Sequence, residues 1–180
     1  MKTLVTWSVE DYHRMIEAGI LNDRRVELLA GEIVEVSPET PIHYNVAKRG
    51  VRYLEELLAG RAEVRFNGPI TLSDSEPEPD IAIVIPPESR YDERHPGIED
   101  IFWLIEVAKT SLKKDLELKK SIYAIAQIQE YWVLDLLARK ITVFREPTNN
   151  DYSTKQEMRQ GDIAPLAFPD VNVSIEKLLT

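Results

Sequence analysis

Two apolar runs constrain this chain more than any other feature. Residues 80–85 read Asp-Ile-Ala-Ile-Val-Ile and residues 101–107 read Ile-Phe-Trp-Leu-Ile-Glu-Val, both rich in the β-branched and aromatic residues that favour strands. Each carries one carboxylate. Alternation along 101–107 puts Phe102, Leu104 and Glu106 on one face and Trp103, Ile105 and Val107 on the other. The same parity groups Asp80 with Ala82 and Val84, small residues that leave space beside the acid. If the two strands are neighbours, both acids face one helix. An ionised carboxylate on a buried face is costly unless it is paired or bound to a cation. The plainer reading, Asp80 as a strand-initial turn residue and Glu106 as a neighbour of a helix cap, stays open for either residue alone.

Around these strands the periodicity switches irregularly between 3.6 and 2. Ser8-Val9-Glu10-Asp11 offers an N-cap with an acid three places on, so a short helix is expected to Gly19. Residues 26–29 and 32–36 read as strands joined by Ala30-Gly31 in a tight hairpin. From 41 to 59 the pattern is helical, with Val46, Ala47, Gly50, Tyr53, Leu54 and Leu57 on one face and His43 in the middle of it. Gly50 would let a neighbour approach closely. Further strands are expected at 62–66, 69–72, 130–136, 140–145 and 152–158. A second long helix, capped by Thr110 or Ser111, runs to about Gln127, and a short one starts near Ser174. No repeat or linker interrupts the 180 residues, so one domain spanning 1–180 is expected, of mixed α/β (α+β) class with a central mixed sheet flanked by helices and an N-terminal helix and hairpin.

A Pro-Asp opening one strand and a Glu ending the next brings two carboxylates together in the way that holds Mg²⁺ against a phosphate. Asp80 and Glu106 are the candidate metal ligands. The usual third member, a Lys two residues after the Glu, is absent because position 108 is Ala. A substitute is legible on the second long helix. At about 100° per residue, Leu112, Asp115, Leu116, Lys119, Ile122, Tyr123 and Ala126 fall within an arc of roughly 120°. Lys119 is central on that apolar face, while Lys113, Lys114 and Lys120 fall outside it and read as solvated. Two roles are open for Lys119: an ion pair with Asp115 one turn back, or an ammonium beside the metal that orients water or stabilises developing phosphorane charge. Lys109, of opposite parity to Glu106, is expected to point away.

His43 reads either as a satisfied core histidine or as a group for proton transfer. In the hairpin, Glu27, Leu29, Glu32 and Val34 share a face. Glu32 and Glu27 are therefore candidate extra ligands, with Glu27 read as a surface residue. No Gly-rich phosphate loop, Gly-x-Ser-x-Gly elbow or His-Glu-x-x-His helix is present.

Composition narrows the classes further. The absence of cysteine excludes disulfides and thiolate metal sites. No apolar run is long enough to span a membrane, and residues 1–7 lack the pattern of a signal peptide, so a cytoplasmic protein is expected. A formal charge of −9 argues against a surface that binds nucleic acid throughout, although a local basic groove is compatible with it. Lys48, Arg49, Arg52, Arg61 and Arg65 are too scattered to define one.

The run Asp115-x-x-x-Lys119-x-x-x-Tyr123-Ala124-x-Ala126-x-Ile128-x-Glu130-Tyr131-Trp132-Val133-x-Asp135 resembles the signature of the Uma-type family of bacterial restriction-endonuclease-like proteins. Glu27-Leu28-Leu29-Ala30-Gly31-Glu32-Ile33, Ser37-Pro38, His43, Pro79-Asp80 and Glu106-Val107 match the same pattern in the same order. The resemblance implies a PD-(D/E)XK nuclease fold with a mixed central sheet, a divalent metal (Mg²⁺ or Mn²⁺), a homodimer, and a catalytic lysine moved from the strand to the helix at Lys119. Asp80, Glu106 and Lys119 would then be catalytic, with Glu32, His43, Asp115 and Tyr123 as neighbours. The expected function is Mg²⁺-dependent endonucleolytic hydrolysis of nucleic acid, with DNA as the expected partner. The alternative is a catalytically silent binding or assembly protein on the same fold. A glycosidase reading of the paired carboxylates has no aromatic sugar platform to support it.

Overall fold

The central strands are apolar on both sides, and the sheet they form is covered on both faces. The computed structural model describes residues 4–180, so the first three residues of the segment read for a signal peptide lie outside the described part. The sheet has six strands: β3 (Glu63–Phe66), β4 (Ile81–Val84), β5 (Ile101–Ala108), β6 (Glu130–Asp135), β7 (Lys140–Pro147) and β8 (Tyr152–Met158), adjacent in that order. All pairings are antiparallel except β5 with β6, which is parallel and therefore needs a crossover. This is the expected mixed sheet flanked by helices.

The N-terminal helix and hairpin come first. Helix α1 (Val9–Glu17) starts at a capping box in which Ser8 and Asp11 satisfy each other's backbone N–H groups. Strands β1 (Val26–Leu29) and β2 (Glu32–Glu35) then form the hairpin. Its turn has φ of 49° at Ala30 and 76° at Gly31, the doubly left-handed geometry that matches strand twist. Gly31 is needed twice over, because a Cβ there would lie 2.7 Å from Thr6 Cβ.

Helix α2 (Pro41–Leu58) covers one face of the sheet with Val46, Ala47, Val51, Leu54 and Leu58, which pack with Ile81, Ile83, Trp103 and Trp132. Close approach to β4 occurs at Gly50, where a Cβ would be 3.2 Å from Ile81 Cδ1. The opposite face packs Ala82, Leu104, Ala108 and Val133 against the crossover segment, through Ile122, Tyr123 and Ala124. That segment is one continuous helical run: α3 (Leu112–Lys114), a π-helical turn over Asp115–Lys119, and α4 (Lys120–Ile125). Two short strands, β9 (Asp162–Ile163) and β10 (Val173–Ser174), and helix α5 (Ile175–Leu178) close the chain beside α2.

One expected strand is absent. Residues 69–72 form an extended loop, because Ile70 N–H donates to the Pro77 carbonyl and Leu72 N–H to the Ser75 carbonyl, folding the segment back on its own continuation. Ile70 and Leu72 are still buried, which explains the apolar pattern that suggested a strand.

Candidate active site

The antiparallel register that opposes Ile81 to Ile105 sets Asp80, just before β4, beside the end of β5. Asp80 Oδ2 accepts the Val107 N–H at 2.6 Å and lies 3.1 Å from His43 Nε2. The Asp80 N–H points back at Glu106 Oε2, 3.4 Å away. Glu106 is nearly fully buried, and its Oε1 accepts two hydrogen bonds, from Lys119 Nζ at 2.9 Å and from the Tyr123 hydroxyl at 2.9 Å. Asp80, Glu106, Lys119, His43 and Tyr123 are thereby brought together.

Lys119 reaches the site from the π-helical turn. Its ammonium bridges Glu106 and Glu27, 3.0 Å from Glu27 Oε1, and no ion pair joins it to Asp80 or Asp115 among the described residues. Asp115 instead accepts a hydrogen bond from the Ser111 hydroxyl at 2.6 Å, so the Asp115–Lys119 pair weighed from the sequence does not form. This same contact takes the Ser111 side chain away from capping the helix.

Several readings of the sequence change here. Glu27 is buried, contrary to its expected surface position, and it also accepts the Glu78 N–H at 2.8 Å and pairs with Lys114 at 2.7 Å. Lys114 therefore belongs to the site's charge network although the helical wheel placed it in solvent. The π turn is the physical reason: it changes the rotation per residue, so a wheel drawn at a constant 100° misplaces its neighbours. Lys120 is likewise tied down, to Asp151 at 2.7 Å. Glu32 is exposed on the far side of the turn and does not line the cleft. Lys109 does line it, because β5 ends at Ala108 and strand parity no longer governs the next residue. Glu39, not singled out in the sequence, enters beside His43 at the start of α2, with Oε2 3.6 Å from His43 Nδ1. Its only advance signal was lying four residues before His43, ahead of a helix start.

Glu27, Glu39, His43, Asp80, Glu106, Lys109, Lys114, Asp115 and Lys119 line a cleft of about 290 Å³. Seven carboxylates border it, those of Glu27, Glu35, Glu39, Glu78, Asp80, Glu106 and Asp115, against Arg25, Lys109, Lys114 and Lys119. Burial pushes the Glu106 carboxyl well above its ordinary range, against the pull of Lys119, and the neighbouring Asp80 and Asp115 push it further. Burial also raises Asp115 to about 6. Lys119 behaves oppositely: desolvation favours its neutral form, but Glu106 and Glu27 outweigh it and hold the ammonium charged. At His43 burial opposes protonation, yet the Asp80 contact raises its affinity for a proton overall. Tyr123 is raised by burial and by Glu106, so it remains a neutral donor.

The residues fit a divalent cation. Glu39, His43 and Asp80 each offer a ligand atom, all within 4.8 Å of one another. His43 Nδ1 is buried without a hydrogen-bond partner, and the excess of carboxylates over ammonium groups leaves negative charge that a cation would neutralise.

Sheet order, crossover helix and cleft together define a restriction-endonuclease-like nuclease fold. A model of the Uma2 family, described as "Putative restriction endonuclease", matches residues 9–176, and the chain belongs to that family. The structure is similar to the crystal structure of a "putative nuclease belonging to DUF820" from Anabaena variabilis ATCC 29413, with a TM-score of 0.71 and 17% identity over 98% of each chain. At that identity the likeness is one of fold. No curated protein sequence matches the chain.

Proposed function

We propose that this protein is a divalent-metal-dependent phosphodiesterase that cuts nucleic acid, with DNA as its substrate, using Asp80 and Glu106 as metal ligands and Lys119 as a fixed positive charge. The observation that carries this reading is the burial of Glu106 against Asp80 and Asp115, with Lys119 as its sole ion-pair partner among the described residues. Mg²⁺ or Mn²⁺ bound there would neutralise phosphate charge and lower the pKa of a water. Lys119 is held protonated by Glu106 and Glu27, so its part is electrostatic stabilisation and orientation, and proton abstraction falls to another group. We assign that part to Asp115, which borders the cleft and whose affinity for a proton burial raises to about 6. Tyr123 fixes Glu106 by donating to the oxygen that Lys119 also contacts.

Incubating the protein with DNA and RNA oligonucleotides, single- and double-stranded, in Mg²⁺ or Mn²⁺ tests the reading. Products that EDTA abolishes are expected, with DNA cut in preference to RNA. Substrates left intact throughout would overturn it.

One observation favours a second reading, a silent nuclease fold serving in binding or assembly. The Glu27–Lys119–Glu106 bridge is closed by the chain's own residues, as a structural remnant would be. On that reading Mn²⁺ titration by calorimetry gives no heat, whereas the metal-dependent reading requires binding that Asp80→Asn removes. We also propose a homodimer, supported by Leu4, Val5, Trp7, Ile16 and Ile20, which are exposed on the N-terminal segment and around α1. Sedimentation of the full chain at about the mass of two copies checks it.

A further inference from the structure

Resting on the metal-dependent reading above, we infer that the cation is held partly by a nitrogen of His43, and that the site therefore selects a first-row transition ion, Mn²⁺ among them, over Mg²⁺. Mg²⁺ takes oxygen ligands and retains its waters, while an imidazole ligand favours transition ions.

Three features aim His43 at a cation. It sits in the first turn of α2, two residues after Pro41 at the helix start, so its backbone is fixed. Its Nδ1 is buried and without a hydrogen-bond partner, and the 3.6 Å to Glu39 Oε2 is too long for a hydrogen bond. The two carboxylates beside it are each oriented by a further hydrogen bond, and Asp80 Oδ2 also faces His43 Nε2 at 3.1 Å. Glu39 Oε1 accepts from Asn67 Nδ2 at 2.9 Å, leaving Oε2 on the His43 side, and Asp80 Oδ2 accepts the Val107 N–H at 2.6 Å. Orienting hydrogen bonds of this kind support the ligands of metal sites. Glu106, by contrast, already has one oxygen committed to Lys119 and Tyr123.

The competing arrangement is an imidazolium clamped between Glu39 and Asp80, with no part in binding an ion. Mn²⁺ titration of the EDTA-treated full chain, followed by electron paramagnetic resonance, separates the two. Expected is bound Mn²⁺ that Mg²⁺ displaces only in at least about tenfold excess, with a ¹⁴N coupling in pulsed spectra that changes to a ¹⁵N pattern in uniformly labelled protein. His43→Gln should remove the coupling and the preference together, and the labelled wild-type protein gives the answer even if that variant fails to fold. Bound Mn²⁺ without nitrogen coupling, or equal competition by Mg²⁺, overturns the inference and leaves the metal-dependent reading standing. Absence of any bound Mn²⁺ overturns both.

Discussion

The Lys119 ammonium lies 2.9 Å from Glu106 Oε1, so a lysine carried by the crossover helix meets the carboxylate at the end of β5, where the strand itself has only Ala108 two residues on. Ala108 is buried on the same face as Leu104, against the crossover helix. The helical position also brings the ammonium to a second partner, Glu27, 3.0 Å away.

Replacing Lys119 by Ala leaves Glu106 and Glu27 facing each other across a buried site with one cation fewer. Loss of one partner of a buried ion pair costs about 3–5 kcal/mol. Urea unfolding of metal-free Lys119→Ala should show a loss of that order, and cleavage should be abolished in protein that remains folded. An unchanged unfolding midpoint would contradict the buried bridge.

Tyr123→Phe tests a gentler change. It removes one of two hydrogen bonds to Glu106 Oε1 while keeping the ring packed edge-on against Tyr131, with centroids 5.0 Å apart. The expected stability loss is about 1–2 kcal/mol, and the expected fall in cleavage rate is about tenfold, or ~1.4 kcal/mol in the barrier. A rate equal to wild type would show that Glu106 needs no such support.

Most of this architecture is written locally in the chain. The Ser8/Asp11 capping box, the Ala30-Gly31 turn and the alternation of 103–107 each specify their structure within a few residues and are found as read. Phe102, expected on the face of Leu104 and Glu106, instead packs with Trp103 and against Phe168, where the β4–β5 register shifts. The parity argument that joined Asp80 to Glu106 works because β4 and β5 are neighbours in register. The failures share another cause. Glu27 and Lys114 lie 87 residues apart, and the π turn between Lys114 and the next cleft lysine, Lys119, changes their relative rotation in a way that no period of 3.6 anticipates. Residues 69–72 look like a strand because burial, rather than pairing, dictates their apolar character.

Glu130 offers a test of stability away from the cleft. Fully buried, it accepts hydrogen bonds from Arg145 Nε at 2.8 Å, Trp132 Nε1 at 2.9 Å and the Leu166 N–H at 2.7 Å, tying β6 to β7 and to the C-terminal segment. Glu130→Ala should cost roughly 3–5 kcal/mol. Chemical denaturation measures it, and Mn²⁺ affinity at the cleft should be retained by the folded fraction.

Asp100 predicts an acid limb of the stability profile. Arg94, whose guanidinium is 2.6 Å away, holds its carboxyl down to about 2, with Gly97 N–H and Arg90 adding to the effect. A depressed folded-state value means the contribution is complete above the ordinary carboxylate range and is lost as pH falls from about 4 toward 2. The amount is roughly 2 kcal/mol. Urea midpoints measured between pH 5 and pH 2 should fall less steeply in Asp100→Asn than in the wild type; parallel curves would remove Asp100 from the account of acid sensitivity.

Metal add-back tests whether Asp80, Glu106 and Lys119 form one metal-dependent hydrolytic site. Protein stripped with EDTA is supplied with Mn²⁺ or Mg²⁺, and cleavage of labelled DNA is followed for wild type, Glu106→Gln and Lys119→Ala. Recovery of cleavage by wild type alone is the expected result. Equal cleavage by wild type and both variants, or wild-type cleavage that persists without metal, would contradict it.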